Sequence, residues 1–208
     1  MPLLDRVHGN LVHGRRVRVL AEWLARLLPQ NATVLDVGCG DGLLAKIVGD
    51  TRPDLTLEGI DVLVREGTHV PVRPFDGKHI DSPDNAYDAV TFVDVLHHTD
   101  DPNVLLKEAA RVARQCVVLK DHTMDGPLAN TTLSFMDWVG NARHGVALPY
   151  NYWPKARWLE AFKNLNLTVD QWEDRLGIYP AWARPIFERK LHFAARLNVA
   201  PVSRASSP

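Results

Sequence analysis

Thr33-Val34-Leu35-Asp36-Val37-Gly38-Cys39-Gly40-Asp41-Gly42-Leu43-Leu44-Ala45 is the stretch whose reading decides the fold. Val34 to Val37 is a short apolar strand, three glycines follow at alternate positions, and Leu43 to Val48 continues as a helix. Strand, glycine turn and helix in that order form the nucleotide-binding corner of an open α/β sheet. Glycine suits the turn because the backbone bends sharply and a ligand approaches it without Cβ atoms in the way. The spacing departs from the dinucleotide pattern G-x-G-x-x-G. The third glycine comes one residue early, and Leu43 stands where that pattern wants it. Asp36, two residues before Gly38, would repel a pyrophosphate but helps hold a ligand that carries an ammonium group.

Outward from this corner, apolar strands alternate with helical periodicity. Val17, Leu20, Trp23, Leu24, Leu27 and Leu28 predict a helix over Arg15 to Leu28, stopped by Pro29. Residues 1–30 read as an N-terminal helical cap. Thr56 to Asp61 reads as a second strand ending in an acid. His69 to Phe75 is at best a short third strand, because Pro71 and Pro74 remove ladder donors. Tyr87 to Asp94 is a buried fourth strand, Asp101-Pro102 opens a helix through Ala113, and Cys116 to Asp121 is a fifth strand. This order predicts parallel βαβ units and an α/β, doubly wound, mostly parallel sheet. Two closing strands, over 167–172 and 190–197, are expected as antiparallel neighbours at one edge.

The alternation pauses over 122–153, a helical insertion after the fifth strand. Asp125-Gly126-Pro127 is a helix start, with an expected inward stripe of Leu128, Thr132, Phe135, Met136 and Val139. A further helix begins at Pro154 and turns Trp158, Leu159 and Phe162 inwards. The aromatic-rich insertion, with Trp138, Tyr150, Tyr152 and Trp153, serves either as a lid over an active-site edge or as a satellite core or dimer face. Arg143 and His144 suit an acidic substrate group. Residues 1–197 form one domain, and 198–208, rich in Ala, Ser and Pro, read as a disordered tail.

Hydrophobic residues make up 46% and charged residues 24% of the 208, so one soluble domain with a substantial core is expected. With 24 Lys+Arg against 25 Asp+Glu there is no global positive field to gather nucleic acid. Arg15, Arg16 and Arg18 read as the solvated side of their helix. Cys39 and Cys116 make neither a disulfide framework nor a zinc site, so a reducing, cytoplasmic setting is expected, with no signal peptide or membrane span.

Four segments together resemble the class I S-adenosylmethionine-dependent methyltransferases, in the small-molecule branch of the ubiquinone and menaquinone biosynthesis enzymes. They are Val34 to Gly42; Gly59-Ile60-Asp61; Phe75-Asp76-Gly77 with Ser82 to Asp88; and Val93-Asp94-Val95-Leu96-His97-His98 with Asp101-Pro102 and Lys107 to Val112. The likeness covers roughly residues 30–121. It departs before the fifth strand, where the family has a Lys-Pro-Gly-Gly turn and this chain has Arg114-Gln115.

The resemblance implies a Rossmann-like, seven-stranded-type sheet, S-adenosyl-L-methionine as cofactor, and a small-molecule methyl acceptor, aromatic or lipid-like. It sets the cofactor against Asp36, Gly38, Cys39, Gly40, Asp61, Val62, Asp76, Gly77 and Asp94. Asp61 would accept from the ribose hydroxyls, Asp76 from the adenine amino group, and Asp94 would meet the ammonium through its carbonyl or carboxylate. Asp36 is expected to organise the loop through backbone or water contacts. Asp61 follows Gly40 by 21 residues, which suits a nicotinamide enzyme equally well. A hydroxyl acceptor calls for a base, for which His98 and His97 are the candidates, with Asp121 and His122 as comparable groups. A metal held by His97, His98, Asp121 and His122 lacks any recognisable ligand spacing, and none is expected. A non-catalytic partner protein of the same fold and an NAD-dependent oxidoreductase are the rival readings.

Overall fold

In the computed structural model, which describes residues 13–141 and 151–200, seven strands form one sheet in the order β3-β2-β1-β4-β5-β7-β6. The strands are β1 (Thr33–Val37), β2 (Thr56–Asp61), β3 (Val72–Pro74), β4 (Tyr87–Val93), β5 (Ala113–His122), β6 (Leu167–Glu173) and β7 (His192–Val199). Strands β1 to β5 pair in parallel, while β7 runs antiparallel to both β5 and β6. The order reverses between β1 and β4, and the crevice there, at the carboxyl ends of the strands, is where open α/β sheets bind ligands.

Among the described residues six helices surround the sheet: α1 (His13–Leu27), α2 (Leu43–Thr51), α3 (Pro102–Val112), α4 (Ala129–Asn141), α5 (Lys155–Asn164) and the single turn α6 (Arg184–Phe187). They divide the core in two. On one face Leu20, Leu24 and Leu27 of α1 and Val48 of α2 meet Val34, Ala89, Cys116 and Val118. On the other, Leu105, Leu106 and Ala109 of α3 and Trp158 and Phe162 of α5 meet Leu35, Val90, Val117, Leu119 and Phe193. Cover on both faces explains why β5 is apolar almost without alternation from Cys116. Asp101 caps α3 by accepting from Asn103 N at 3.0 Å, with Pro102 in the first turn. The helix then passes into β5 at Ala113 without a glycine turn, which is how Arg114-Gln115 replaces one.

Three expectations need correction. The buried side of α4 carries Ala129 and Leu133, whereas Leu128 and Phe135 are exposed, so the stripe lies on the wrong side of the helix. On α5, Trp158 and Phe162 are buried but Leu159 is exposed. Strand β7 extends to Val199, so Asn198 and Val199 belong to the sheet and not to a tail; residues 201–208 lie outside the described ones. The third strand is as short as its prolines predict.

Close approach between β2 and the glycine turn sets the geometry of the corner. A Cβ placed on Gly59 would stand 2.3 Å from Cys39 Sγ and 2.9 Å from Cys39 Cβ, so only glycine fits. Gly59→Ala is expected to cost about 1–3 kcal/mol through overpacking. Cys39→Ala in the same chain should return part of that loss, as read by the two variants' denaturant midpoints.

Candidate functional site

The loop after β1 is bound to β2 from two sides. Ile60 O accepts from Gly38 N at 2.8 Å and from Cys39 N at 3.3 Å. Asp61 Oδ2 accepts from Gly40 N at 2.7 Å, and Asp61 Oδ1 accepts from Leu63 N at 2.9 Å. The second strand's terminal acid thus clamps the glycine turn while keeping lone pairs on both oxygens for further donors. Gly38 turns at φ +71, and a Cβ there would stand 2.6 Å from Val95 Cγ2, so the turn leaves no room for a side chain.

Asp36 lies beneath this loop, 5% exposed, and accepts from Thr91 Oγ1 of β4 at 2.7 Å. Its described partner is thus a side-chain hydroxyl on the neighbouring strand. Burial pushes its carboxyl up to about 6, opposed by the Thr91 hydrogen bond and assisted by the Asp61 charge. Burial, then the Asp36 and Asp61 charges, push the Cys39 thiol up to about 12, so it is no nucleophile.

Beyond β2 lies a cavity of about 160 Å³ whose walls include Ile60, Phe75, Asp76, His79 and Ile80. Asp76 Oδ1 accepts from the backbone N–H of His79 and of Lys78, each at 2.7 Å, and these bonds hold its carboxyl below the usual range. Val62, 68% exposed, comes close to Gly77: a Cβ on that glycine would lie 3.4 Å from Val62 Cγ1. Asp61, Val62, Asp76 and Gly77 therefore stand along one edge, as the resemblance implies.

Asp94 is arranged differently from expectation. It sits at φ +57 past the end of β4, and its carboxylate is held by Lys120 Nζ on Oδ1 and by Arg16 Nη2 on Oδ2 at 2.5 Å. Burial alone would raise this carboxyl; the Lys120 and Arg16 cations outweigh it and hold it well below its ordinary range. The carboxylate is committed to protein cations, so only the Asp94 backbone remains suited to a ligand's ammonium group. Arg16 is correspondingly no solvated-face residue, and Arg15 Nη2 donates to Gly177 O at 3.0 Å. Sequence reasoning missed Arg16 and Lys120. The signal was there for the second: Lys120 is a lone cation in the apolar run Cys116 to Leu119, and it is 2% exposed.

Beside Asp94 the histidines gather. His97 and His98 lie on a single 3₁₀ turn (Leu96–His98), with ring centroids 4.0 Å apart. His97 is also 4.6 Å from His122 and 5.6 Å from Tyr152, and His122 is 4.7 Å from His192. Asp121 bonds His97 Nδ1 at 2.7 Å. Burial first, then the Lys120 charge, keep His122 and His192 well below the usual imidazole range, so both are neutral. Asp94, His97 and His122 each bring one ligating atom within 4.8 Å of the others, while two protein cations already neutralise the carboxylate. The insertion divides between its two readings: Tyr152 and Trp153 are buried packing, and Phe135 and Trp138 are exposed, 54% and 59%. Arg143, His144 and Tyr150 lie outside the described residues.

Asp36 makes stability depend on pH. The native state keeps its proton to about pH 6, whereas the unfolded chain releases it near 3.8, so folding binds protons across that window and stability falls as pH rises through it. Asp36→Asn should therefore raise neutral-pH stability by on the order of 1–3 kcal/mol and do nothing below pH 4, in urea titrations at the two pH values.

Comparison with known proteins places the chain in a family. The profile of a methyltransferase domain family matches residues 11–171. An uncharacterized methyltransferase of Mycobacterium tuberculosis is 40% identical over 180 residues, covering 82% of this chain and 80% of the relative. The 2-methyl-6-phytyl-1,4-hydroquinone methyltransferase of Synechocystis is 28% identical over 177 residues, 80% of this chain but 47% of the relative's length. Among solved structures, geranyl diphosphate C-methyltransferase from Streptomyces coelicolor superposes with a TM-score of 0.66 at 16% identity, over 88% of this chain and 79% of that one, and speaks for the fold. The chain spans about half the length of several of the curated relatives it matches, and with a profile match across most of its own length it belongs to the methyltransferase domain family.

Proposed function

We propose that this protein transfers a methyl group from S-adenosylmethionine to a small-molecule acceptor with an aromatic or lipid-like hydroxyl or carbon. The observation that carries the reading is the Asp61 clamp: one carboxylate, at the carboxyl edge of β2, holds the glycine turn and retains lone pairs for a diol. In this reading Asp61 takes the ribose hydroxyls. Val62 and Gly77 flank the adenine, with Asp76 accepting from its amino group. Gly38, Cys39 and Gly40 form the floor, kept in place by Asp36 below, and the Asp94 carbonyl meets the ammonium. The fit is supported by Gly40, at φ +63, where a Cβ would meet no atom nearer than Arg65 Nη2 at 3.9 Å and so would stand in the open space beside the turn.

When bound, the sulfonium supplies an electrophilic methyl group. The protein's share is to align the acceptor and exclude water. His98 and His97 stand past the end of β4 as the candidate bases for an ionising acceptor. The near balance of 24 basic against 25 acidic residues favours a small molecule over nucleic acid. The likeness to a 2-methyl-6-phytyl-1,4-hydroquinone methyltransferase favours an aromatic or lipid-like acceptor. No helix among the described residues is long and apolar enough to cross a membrane.

Asp61→Ala removes both the diol acceptor and the anchor of Gly40. It should weaken S-adenosylhomocysteine binding at least ~10-fold in calorimetric titration, as loss of a charged hydrogen-bond partner does. An unchanged dissociation constant would contradict the ribose assignment.

A further inference from the structure

Cations gather at a second place on the ligand-binding edge of the sheet. Strand β7 runs antiparallel to both β5 and β6, so β6 is parallel to β5 and its end at Glu173 lies at the carboxyl edge. The connection that follows β6 cups a cavity of about 570 Å³, whose walls carry Arg175, Arg184, Arg189 and Lys190 against two acids, Asp174 and Glu188. Glu188 is already committed. It is 7% exposed and accepts through Oε1 from Gly177 N and, at 3.1 Å, from Ile178 N, while Oε2 stands 3.5 Å from Arg184 Nε. Arg189 donates to Ile186 O at 3.0 Å, to Pro127 O at 3.4 Å and to Thr132 Oγ1 at 2.9 Å, partners that fix it in place without neutralising it. Among the described residues, neither the Arg175 guanidinium nor the Lys190 ammonium has a hydrogen bond or an ion pair, and both residues are exposed. Three cations therefore line this hollow with Asp174 as the one uncommitted acid. A concave wall of one sign of charge concentrates an opposite ion, and the planar arginine fork suits a phosphate or a carboxylate.

We propose that this cavity receives the anionic head, a phosphate or a carboxylate, of an elongated apolar methyl acceptor whose other end reaches the strand end at Asp94. The proposal rests on the methyl-transfer reading and narrows its acceptor. Arg175 and Lys190 supply the charge for the head, and Arg189, pinned to the start of α4, shapes the wall. The surroundings suit a carbon chain. Pro185 lines the cavity, and Leu128, Trp182 and Ile186, on the two segments that Arg189 ties together, are 71%, 77% and 55% exposed. In the sheet order three strand steps separate β4 from β6, which is about 14 Å at the usual strand spacing. A compact acceptor does not fill both places, and a lipid-like chain with a terminal acid does.

The test titrates the full chain with octyl phosphate, octanol and inorganic phosphate, each as monomers. Octyl phosphate should bind at least ~10-fold more tightly than either of the others, and more weakly as salt is raised. The double variant Arg175→Ala, Lys190→Gly should lose at least ~10-fold of that affinity at unchanged S-adenosylhomocysteine binding; glycine keeps the backbone of residue 190, which sits at φ +61. Equal affinity for octanol or for inorganic phosphate overturns the proposal, even if the variant fails to fold, and so does unchanged binding by a folded variant. Binding to phosphatidylglycerol vesicles without binding to monomeric octyl phosphate also overturns it, since the partner is then a bilayer. Failure of the wild type to bind S-adenosylhomocysteine breaks the cofactor reading instead. With an acceptor found by screening, the double variant should raise its KM about 10-fold at unchanged kcat. An acceptor without an acidic group, or an unchanged KM, overturns the proposal.

Discussion

The hydrogen bond from Gly40 N to Asp61 is the contact on which the rest of the site depends. It joins the first crossover of the sheet to the end of the second strand, and so fixes the distance between the cradle and the edge that carries Val62, Asp76 and Gly77. The same closeness forces Gly59 to lack a side chain, since Cys39 occupies the space. Sheet order does the remainder. Reversal between β1 and β4 brings Asp94 and the histidine turn to the other side of the same crevice.

Three carboxylates serve this crevice, and each is held differently. Asp36 has one hydroxyl partner and no cation, so its carboxyl is driven up and it costs stability when ionised. Asp94 has Lys120 and Arg16, so it stays charged and draws helix α1 onto the site. Asp121 accepts from Leu96 N and His122 N and bonds His97 Nδ1. Three carboxylates with three different partner sets thus stand beneath and beside one crevice.

Much of the fold was legible in the chain. The strand, glycine turn and helix, the acids ending β2 and following β4, and Pro102 after its capping Asp101 all follow local rules with a single solution, and the sheet came with them. What was not legible is tertiary. Helical periodicity places Phe135 and Leu133 on different sides of α4 but does not say which side meets the protein, and the larger side chain proved to be the exposed one. Arg16 looked like one more surface charge because its partner is 78 residues away in the chain. The differing environments of the histidines depend on β7 bringing His192 opposite His122, a pairing that no local pattern reports.

In the proposed function the ledge formed by the glycine turn, Asp61 and Asp76 receives adenosine joined to an amino-acid tail. A crystal of the protein soaked with S-adenosylhomocysteine is the decisive measurement. Ribose oxygens are expected within hydrogen-bond distance of Asp61, the purine between Val62 and Gly77, and the tail running towards Asp94. Crystals showing this ledge empty at millimolar ligand, or the nucleoside bound elsewhere, would contradict it.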